Sequence, residues 1–174
     1  MNLRDRLQPA LLDRLTDLDP HTKVEAADHR TMSKAQIRDA ILRDLSWLLN
    51  AVQPLGRQAQ AFPEAADSVL NFGLPAMSGQ MASKVDVSLL ERIIRQAIVR
   101  FEPRVMDNTL VVRALESDSV LDTHNVIEFE IRGFMWAQPV PLELLLRTQV
   151  DLEAGQVEVR DASGSPVASM RRKP

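Results

Sequence analysis

Apolar residues recur with a helical period in two parts of the chain. Over residues 33–52 and 88–101 they return every three or four positions with charged residues between them, which predicts two amphipathic helices. Ser33 and Ser88 each stand three residues before a Gln or Glu, the spacing of an N-terminal capping box. Pro103 should end the second helix near residue 101, because the residue before a proline is disfavoured in the helical region. Between the two helices we predict a loop over 54–67 and a short helical turn at 68–72, ended by Gly73.

The period changes from helical to alternating in the second half of the chain. Residues 110–115 form a β-branched apolar run, and apolar and charged residues alternate over 127–132 and 142–151, which predicts strands. Residues 153–155 supply a turn before apolar residues return at 157–159, so the last two strands should form a hairpin. Helices followed by strands predict an α+β fold, with two main helices packed on one face of a small antiparallel sheet of three to four strands.

The N-terminal residues form a separate arm. Their leucines have helical spacing, and Pro9 requires any helix there to begin at or after it, or to be kinked. A helix this short is marginal in water, so its leucines should dock on the chain or on a partner. We predict a 1–32 arm and linker, a 33–160 α+β domain and a 161–174 flexible C-terminal tail. The leucines with this spacing are Leu3, Leu7, Leu11, Leu15 and Leu18.

Composition excludes several classes of chemistry. The 174 residues include no cysteine, which removes disulfides, cysteine-ligated zinc and thiol catalysis. The formal net charge of −3 gives no general attraction to nucleic acid, and no segment reads as a signal peptide or membrane span. His21, His29 and His124 lack ligand spacing and are interpreted as solvated loop residues. We therefore expect a cytoplasmic protein that uses no metal, cofactor or small-molecule substrate.

Paired carboxylates keep a hydrolase open as an alternative. A glycosidase needs one protonated acid and one ionised partner across a cleft, and Glu102 with Glu128 or Glu130 would be the candidates. Strand alternation places Glu128 and Glu130 on a solvent-facing side, and two Trp with five Phe offer little material for a sugar-stacking surface. The residues therefore favour a protein without a catalytic site.

The segment after the second helix carries an unusual charge pattern. Glu102 falls at the helix C-terminus, where the helix dipole disfavours an anion, and Pro103 requires an extended backbone. Glu102 and Arg104 should then stand side by side as a charged fork. Two interpretations stay open: a helix stop with an internal salt bridge, or a binding feature. Trp136, just after a predicted strand, is likewise either a core or rim aromatic or an interface anchor.

These residues together resemble the baseplate wedge family of contractile injection machines. The resemblance rests on SVLNFGLP at 68–75, IIRQAI at 93–98 leading into FEPR at 101–104, and PVPL, LRT and DLEAG between 139 and 155. The family includes the small wedge protein of contractile-tailed phages and the E component (TssE) of the type VI secretion baseplate. The residues LLDRLTD at 11–17 are more similar to the secretion branch.

The resemblance implies structural work and no catalysis. Such proteins sit in the wedges of a sixfold-symmetric baseplate in the cytoplasm and offer the platform on which the contractile sheath begins to polymerise. The expected partners are other baseplate wedge subunits and sheath subunits, bound in part by β-strand augmentation at an open sheet edge. The family has carried a lysozyme-like label, so a peptidoglycan hydrolase is the alternative function. A stand-alone peptide-binding module is a second alternative.

The resemblance also implies candidate binding residues. Glu102, Pro103 and Arg104 match the family signature, and we expect them to hold the end of the second helix in register and to make charge-assisted contacts to partners. We further expect the arm to dock on neighbouring wedge subunits, because this would bury its otherwise uncovered leucines. Those leucines are Leu7, Leu11 and Leu15.

Overall fold

Two long helices precede four strands in a computed structural model that describes residues 9–16, 21, 32–56, 61–77, 85–115, 125–137 and 140–162. The helices are α1 (Leu11–Leu15), α2 (Lys34–Asn50), α3 (Pro63–Asp67) and α4 (Val87–Phe101). The strands are β1 (Val111–Ala114), β2 (Val126–Met135), β3 (Leu142–Asp151) and β4 (Gln156–Asp161). The predicted α+β fold, with two main helices and a small sheet, is confirmed.

The four strands form one antiparallel sheet in the order β1-β2-β3-β4. Strands β2 and β3 pair over their full lengths, from Val126 opposite Asp151 to Met135 opposite Leu142. Every second residue of β3 is buried from Leu144 onward, which confirms the predicted alternation. The predicted β3–β4 hairpin is also present.

Helices α2 and α4 cover the apolar face of this sheet. Ile41 and Leu45 of α2 and Ile94 and Ile98 of α4 are fully buried and belong to one continuous core cluster. The strands contribute buried residues from every part of the sheet to that cluster, among them Val112, Phe129, Ile131, Leu144, Leu146 and Val157. The sheet is therefore apolar toward the helices and charged toward solvent.

Both long helices begin at side-chain caps, but only one cap is the predicted one. The Ser33 hydroxyl accepts a hydrogen bond from the Gln36 N–H at 3.2 Å, and the Gln36 side chain accepts one from the Ser33 N–H at 2.8 Å, which confirms this capping box. The capping box predicted at Ser88 is wrong. The N-cap of helix α4 lies two residues earlier in the chain. Asp86 is the N-cap, and its carboxylate accepts from the Leu89 N–H at 3.1 Å. A carboxylate cap also interacts favourably with the helix dipole.

The connection between α2 and α4 is more ordered than the sequence suggested. The predicted loop over 54–67 contains α3, which places Pro63 at the start of a helix, where its missing N–H costs nothing. The helical turn predicted at 68–72 is a 3₁₀ turn, Val69–Asn71. Gly73 follows it with φ of 120°, and a Cβ there would lie 2.3 Å from the Ala51 carbonyl oxygen. This glycine lets the connection pack directly on the end of α2.

Helix α1 is the described part of the arm, and it begins after Pro9 as predicted. Leu3, Leu7 and Leu18 lie outside the described residues, as do 163–174, so the division of the chain at 32 and 160 stays a prediction. Within the described ranges the longest helix has 17 residues, and none combines the length and apolarity that a membrane span requires.

Candidate functional site

Glu102 is the C-cap of α4 and is buried, with 3% of its surface exposed. Its N–H completes the helix by donating to the Ile98 carbonyl at 2.8 Å, and the helix stops there because Pro103 follows. A buried anion at a helix C-terminus is unfavourable by itself, because it faces the negative end of the helix dipole and has lost its water. The position therefore requires a cation close by.

Arg104 supplies that cation. Its Nε donates to Glu102 Oε1 at 2.6 Å and its Nη2 donates to Glu102 Oε2 at 2.5 Å, a bidentate pair in which both carboxylate oxygens accept. The Arg104 backbone N–H also donates to Oε1, at 3.1 Å. The predicted side-by-side pair is present, but the predicted extended backbone is wrong: residues 102–105 form a turn in which the Val105 N–H donates to the Glu102 carbonyl at 3.1 Å. Glu102 is turned inward, whereas 27% of the Arg104 side chain is exposed.

The pair is one end of a longer network of alternating charges. Arg104 Nη2 also contacts Asp44 Oδ2 of α2 at 2.5 Å, and Asp44 Oδ1 accepts from Arg43 Nε at 2.9 Å. Arg43 Nη1 in turn donates to Asp13 Oδ1 of α1 at 2.7 Å. We call these five residues the charge network. It connects the arm to the end of α4 through α2.

The network holds both arginines firmly in their charged form. Burial lowers the pKa of Arg104, but the hydrogen bonds and charges of Glu102 and Asp44 outweigh it, so the pKa lies above its ordinary value. The hydrogen bond to Asp13 raises the pKa of Arg43, with Asp44 adding to the effect and burial opposing it. Both arginines therefore stay charged across the ordinary pH range.

An open groove of about 340 Å³ lies over this network, between α2 and the end of α4. Phe72 and Phe101 meet edge to face on one side, with ring centroids 5.3 Å apart, and Trp47 stands on the other, 53% exposed. The guanidinium of Arg43 lies over the Trp47 ring, 5.2 Å from its centroid. The residues that line the groove are Ala10, Asp44, Trp47, Leu48, Phe72, Phe101, Glu102, Pro103 and Arg104.

The backbone beyond the fork is fixed to the sheet. The Trp136 N–H donates to the Arg104 carbonyl at 2.7 Å, and the Met106 N–H donates to the Phe134 carbonyl at 2.8 Å. Arg104 is therefore held on one side by the carboxylates and on the other by the end of β2. The Trp136 side chain is 55% exposed, which excludes its interpretation as a core aromatic.

Strand β4 is one edge of the sheet, and a side chain of α2 covers part of it. Asn50 donates from Nδ2 to the Val157 carbonyl at 2.8 Å and accepts from the Val157 N–H at 2.9 Å. The backbone groups of Val157 therefore point away from β3, and by strand alternation those of Val159 do the same. Among the described residues, no hydrogen bond is recorded for this outward backbone of Val159.

Strand β1 is the other edge, and α4 covers it. Glu91 accepts from the outward N–H of Ala114 at 2.7 Å, and Arg95 donates to the Leu110 carbonyl at 3.2 Å and the Asp107 carbonyl at 2.9 Å. Glu91 and Arg95 are one helical turn apart, so they lie on the same side of α4. Strand β4 is thus the longer of the two edge strands, with six residues against four in β1.

The other residues singled out in the sequence lie in separate places. Leu11 and Leu15 are 71% and 73% exposed, and Leu7 lies outside the described residues. Glu128 accepts from Gln149 at 2.7 Å, and Glu130 pairs with Arg132 at 2.6 Å, both on the solvent side of the sheet. Neither is brought to Glu102, whose helix packs on the opposite face.

Sequence reasoning missed Asp44, Arg43, Trp47 and Asn50 as members of a site. They are polar or outward positions on an amphipathic helix, which is the ordinary pattern of a solvated face. Only the packing of α2 beside α4 and β4 gives them partners. Among the described residues, no group of three or more His, Cys, Asp or Glu side chains could hold a metal ion.

The fold and the groove define a class: a small α+β domain with an exposed aromatic groove above an internally paired charge network. The chain belongs to the baseplate wedge protein gp25 family, whose family model matches residues 35–140. The matched range contains most of α2, the groove residues from Asp44 onward, and strands β1 and β2; the arm and the β3–β4 hairpin lie outside it. The family assignment makes the chain a structural protein of a baseplate wedge. Comparison with curated proteins and with solved structures gave no match.

Proposed function

We propose that this chain is the TssE-type wedge subunit of a type VI secretion baseplate, and that in the cytoplasm it forms part of the platform on which contractile sheath polymerisation begins. Family membership supports the baseplate role. The similarity of residues 11–17 to the secretion branch favours secretion over a phage tail. Its partners would be other wedge subunits and sheath subunits.

The observation that carries the contact proposal is the open groove with its exposed aromatic rim. Trp47 is half exposed and lines the groove together with the paired charges of Asp44, Glu102 and Arg104, and exposed tryptophans of this kind are frequent binding hot spots. Glu102 would hold the end of α4 in register, while Pro103 and the exposed part of Arg104 would meet the partner. The exposed faces of Leu11 and Leu15, together with Leu7, would dock on neighbouring wedge subunits.

The β4 edge is the candidate for strand addition by a sheath subunit. Its last residues carry backbone groups that point away from the sheet at Val159, beyond the part that Asn50 covers. Strand β1 is shorter, and Glu91 already occupies its Ala114 N–H. An incoming strand would therefore pair at the end of β4.

A peptidoglycan hydrolase fits the site poorly. Asp44 and Glu102 both line the groove, but both oxygens of Glu102 accept from Arg104, and Asp44 bridges two arginines. A glycosidase acid has to carry a proton to the leaving group, and carboxylates engaged in this way are held as acceptors. We therefore propose that the chain is not an enzyme.

The experiment compares two half-exposed tryptophans in cells that make a fluorescent sheath subunit. Trp47→Ala removes the groove aromatic, and Trp136→Ala is the matched control, since its side chain is 55% exposed and does not line the groove. We expect Trp47→Ala to lower the number of sheaths per cell about tenfold and Trp136→Ala to leave it near wild type. Circular dichroism checks that both variants are folded.

Val159→Pro tests the edge in the same assay. Proline removes an outward N–H there, which an edge strand tolerates, and it blocks an added strand. The substitution also replaces a valine that packs partly against the core, so circular dichroism has to show that this variant is folded. Wild-type sheath counts in both Trp47→Ala and Val159→Pro would contradict the proposed contacts. Absence of the chain from complexes with other baseplate proteins, or turnover of peptidoglycan by the purified chain, would contradict the proposed function.

A further inference from the structure

Helix α1 docks on the chain with almost no apolar burial. It has five residues, none of them is buried, and its three leucines (Leu11, Leu12 and Leu15) are 71%, 43% and 73% exposed. Its N-cap residue Ala10 makes no side-chain cap. The hydrophobic effect and intrinsic helix stability therefore explain neither the position of α1 nor its orientation with leucines outward.

An ion pair between Asp13 of α1 and Arg43 of α2 joins the two helices. The Asp13 side chain is only 5% exposed, and its Oδ1 accepts from Arg43 Nη1 at 2.7 Å. The other oxygen, Oδ2, is buried without a hydrogen-bond partner among the described residues. A half-satisfied buried carboxylate depends strongly on its single cation, because losing that cation would leave the charge unpaired in a dry place.

We infer that Arg43 is a positioning residue that couples the arm to the fork: it holds α1 with its leucines outward and transmits that contact through Asp44 to Arg104. This inference concerns the isolated chain and does not depend on the proposed function. The arm and the groove then work as one surface. A partner that binds the leucines of α1 would also shift Arg104, which lines the groove, through Arg43 and Asp44.

The geometry of the guanidinium group makes this coupling possible. Arg43 uses Nη1 for Asp13 and Nε for Asp44, so one rigid plane fixes two carboxylates. Asp44 uses Oδ1 for Arg43 and Oδ2 for Arg104, so a rotation of its carboxylate moves both contacts. A lysine at position 43 has a single nitrogen and can hold one carboxylate well, but not both in this geometry.

The test uses the full chain and two reporters at the two ends of the network. Hydrogen exchange of the Arg14 and Thr16 amides, which bond to the Ala10 and Leu12 carbonyls at 3.0 Å, reports on α1. The NMR signal of the Arg104 Nε–H, which donates to Glu102, reports on the fork.

We expect Asp13→Asn and Arg43→Gln each to speed exchange in α1 about tenfold, because a charge-assisted hydrogen bond is lost. Both should also shift the Arg104 Nε–H signal, although neither residue touches Arg104. Arg43→Lys should keep part of the protection in α1 and still shift the fork signal. Arg14→Gln is the matched control, read at the Thr16 amide because the Arg14 amide is itself altered. Arg14 is an exposed arginine of the same helix without an ion pair among the described residues, so this variant should leave both the Thr16 exchange and the Arg104 signal near wild type.

Unchanged exchange in α1 in both Asp13→Asn and Arg43→Gln would show that the ion pair does not hold the arm. Faster exchange in α1 with a stationary Arg104 signal would overturn the coupling. Equal effects from Arg14→Gln would assign the change to the charge of the arm in general and would also overturn it. None of these outcomes involves a baseplate partner, so they are independent of the test of function.

Discussion

Glu102 lies where an isolated carboxylate is least favourable, buried against the negative end of α4. The bidentate contact with Arg104 resolves this, and a turn brings it about: the Val105 N–H donates to the Glu102 carbonyl at 3.1 Å, and the Arg104 N–H donates to Glu102 Oε1 at 3.1 Å. Of the two interpretations left open by the sequence, the internal salt bridge is present. It leaves Arg104 as the member of the pair that reaches the surface.

The first prediction compares two glutamates that each pair with an arginine two residues further along the chain. Glu158 also makes a bidentate pair with an arginine two residues on, Arg160, at 2.8 and 2.9 Å, but both side chains are exposed. We expect Glu102→Gln to lower the free energy of unfolding by about 2–3 kcal/mol, because a buried arginine contact loses its charge. Glu158→Gln should give no resolvable change. Urea unfolding of both variants measures the difference, and equal effects would contradict the importance of burial.

At the scale of elements, polar backbone groups at the sheet edges also depend on a side chain from another element. Each edge strand has an outward backbone group that a helix side chain satisfies: Asn50 of α2 for β4, and Glu91 of α4 for β1. These contacts protect the edges from unwanted pairing, and they also fix how each helix lies along its strand. Arg38 adds a further link between α2 and the hairpin through the Glu143 carbonyl at 2.8 Å.

The second prediction concerns the cover of β4. Asn50→Ala removes both bonds to the Val157 backbone, and we expect a loss of about 1–3 kcal/mol in the free energy of unfolding. Exchange of the Val157 amide should quicken, while that of Ala114 on the other edge should stay as in wild type. Hydrogen exchange followed by NMR measures both. An unchanged Val157 amide would contradict the assigned direction of the β4 backbone.

At the scale of the whole molecule, one core joins α2, α4 and all four strands. Domains of this size with a single core unfold in one cooperative step, because no part can keep its apolar face buried alone. Helix α1 is the exception, since it contributes no residue to that core. Local opening of α1 should therefore precede global unfolding.

The third prediction follows from this single core. We expect Ile98→Ala, at a fully buried position, to cost about 2–5 kcal/mol in the free energy of unfolding without changing the dependence on urea. Leu70→Ala, at a residue 70% exposed, should cost less than about 0.5 kcal/mol. Fluorescence and circular dichroism should report the same transition. Separate transitions for helices and sheet would contradict a shared core.

Local patterns in the sequence were sufficient for the elements but not for every detail of them. The Ser33 capping box and the end of α4 at Phe101 depend on neighbours within four residues, and both were predictable. The start of α4 was missed because Asp86 and Ser88 are both good caps, and the choice between them depends on tertiary packing. The helix α3 was missed because five residues carry too little periodicity to predict one.

The site could be predicted only at Glu102, Pro103 and Arg104, because they are adjacent in the chain. Their partner Asp44 is 60 residues from Arg104, and Asp13 is 30 residues from Arg43. No spacing rule links charges at such separations. The same holds for Asn50 and Val157, which are 107 residues apart.

The sequence by itself determined the α+β order, the buried faces of α2, α4 and the strands, and the helix stop at Pro103. These follow from hydrophobic period and backbone chemistry, which act over a few residues. Only the tertiary structure decided that Glu102 turns inward, that Arg43 and Asp44 carry its charge network to the arm, and which helix side chains bond to the outward backbone of each edge strand. Those features arise where separate elements pack together, and burial there makes each polar group depend on a partner from elsewhere in the chain.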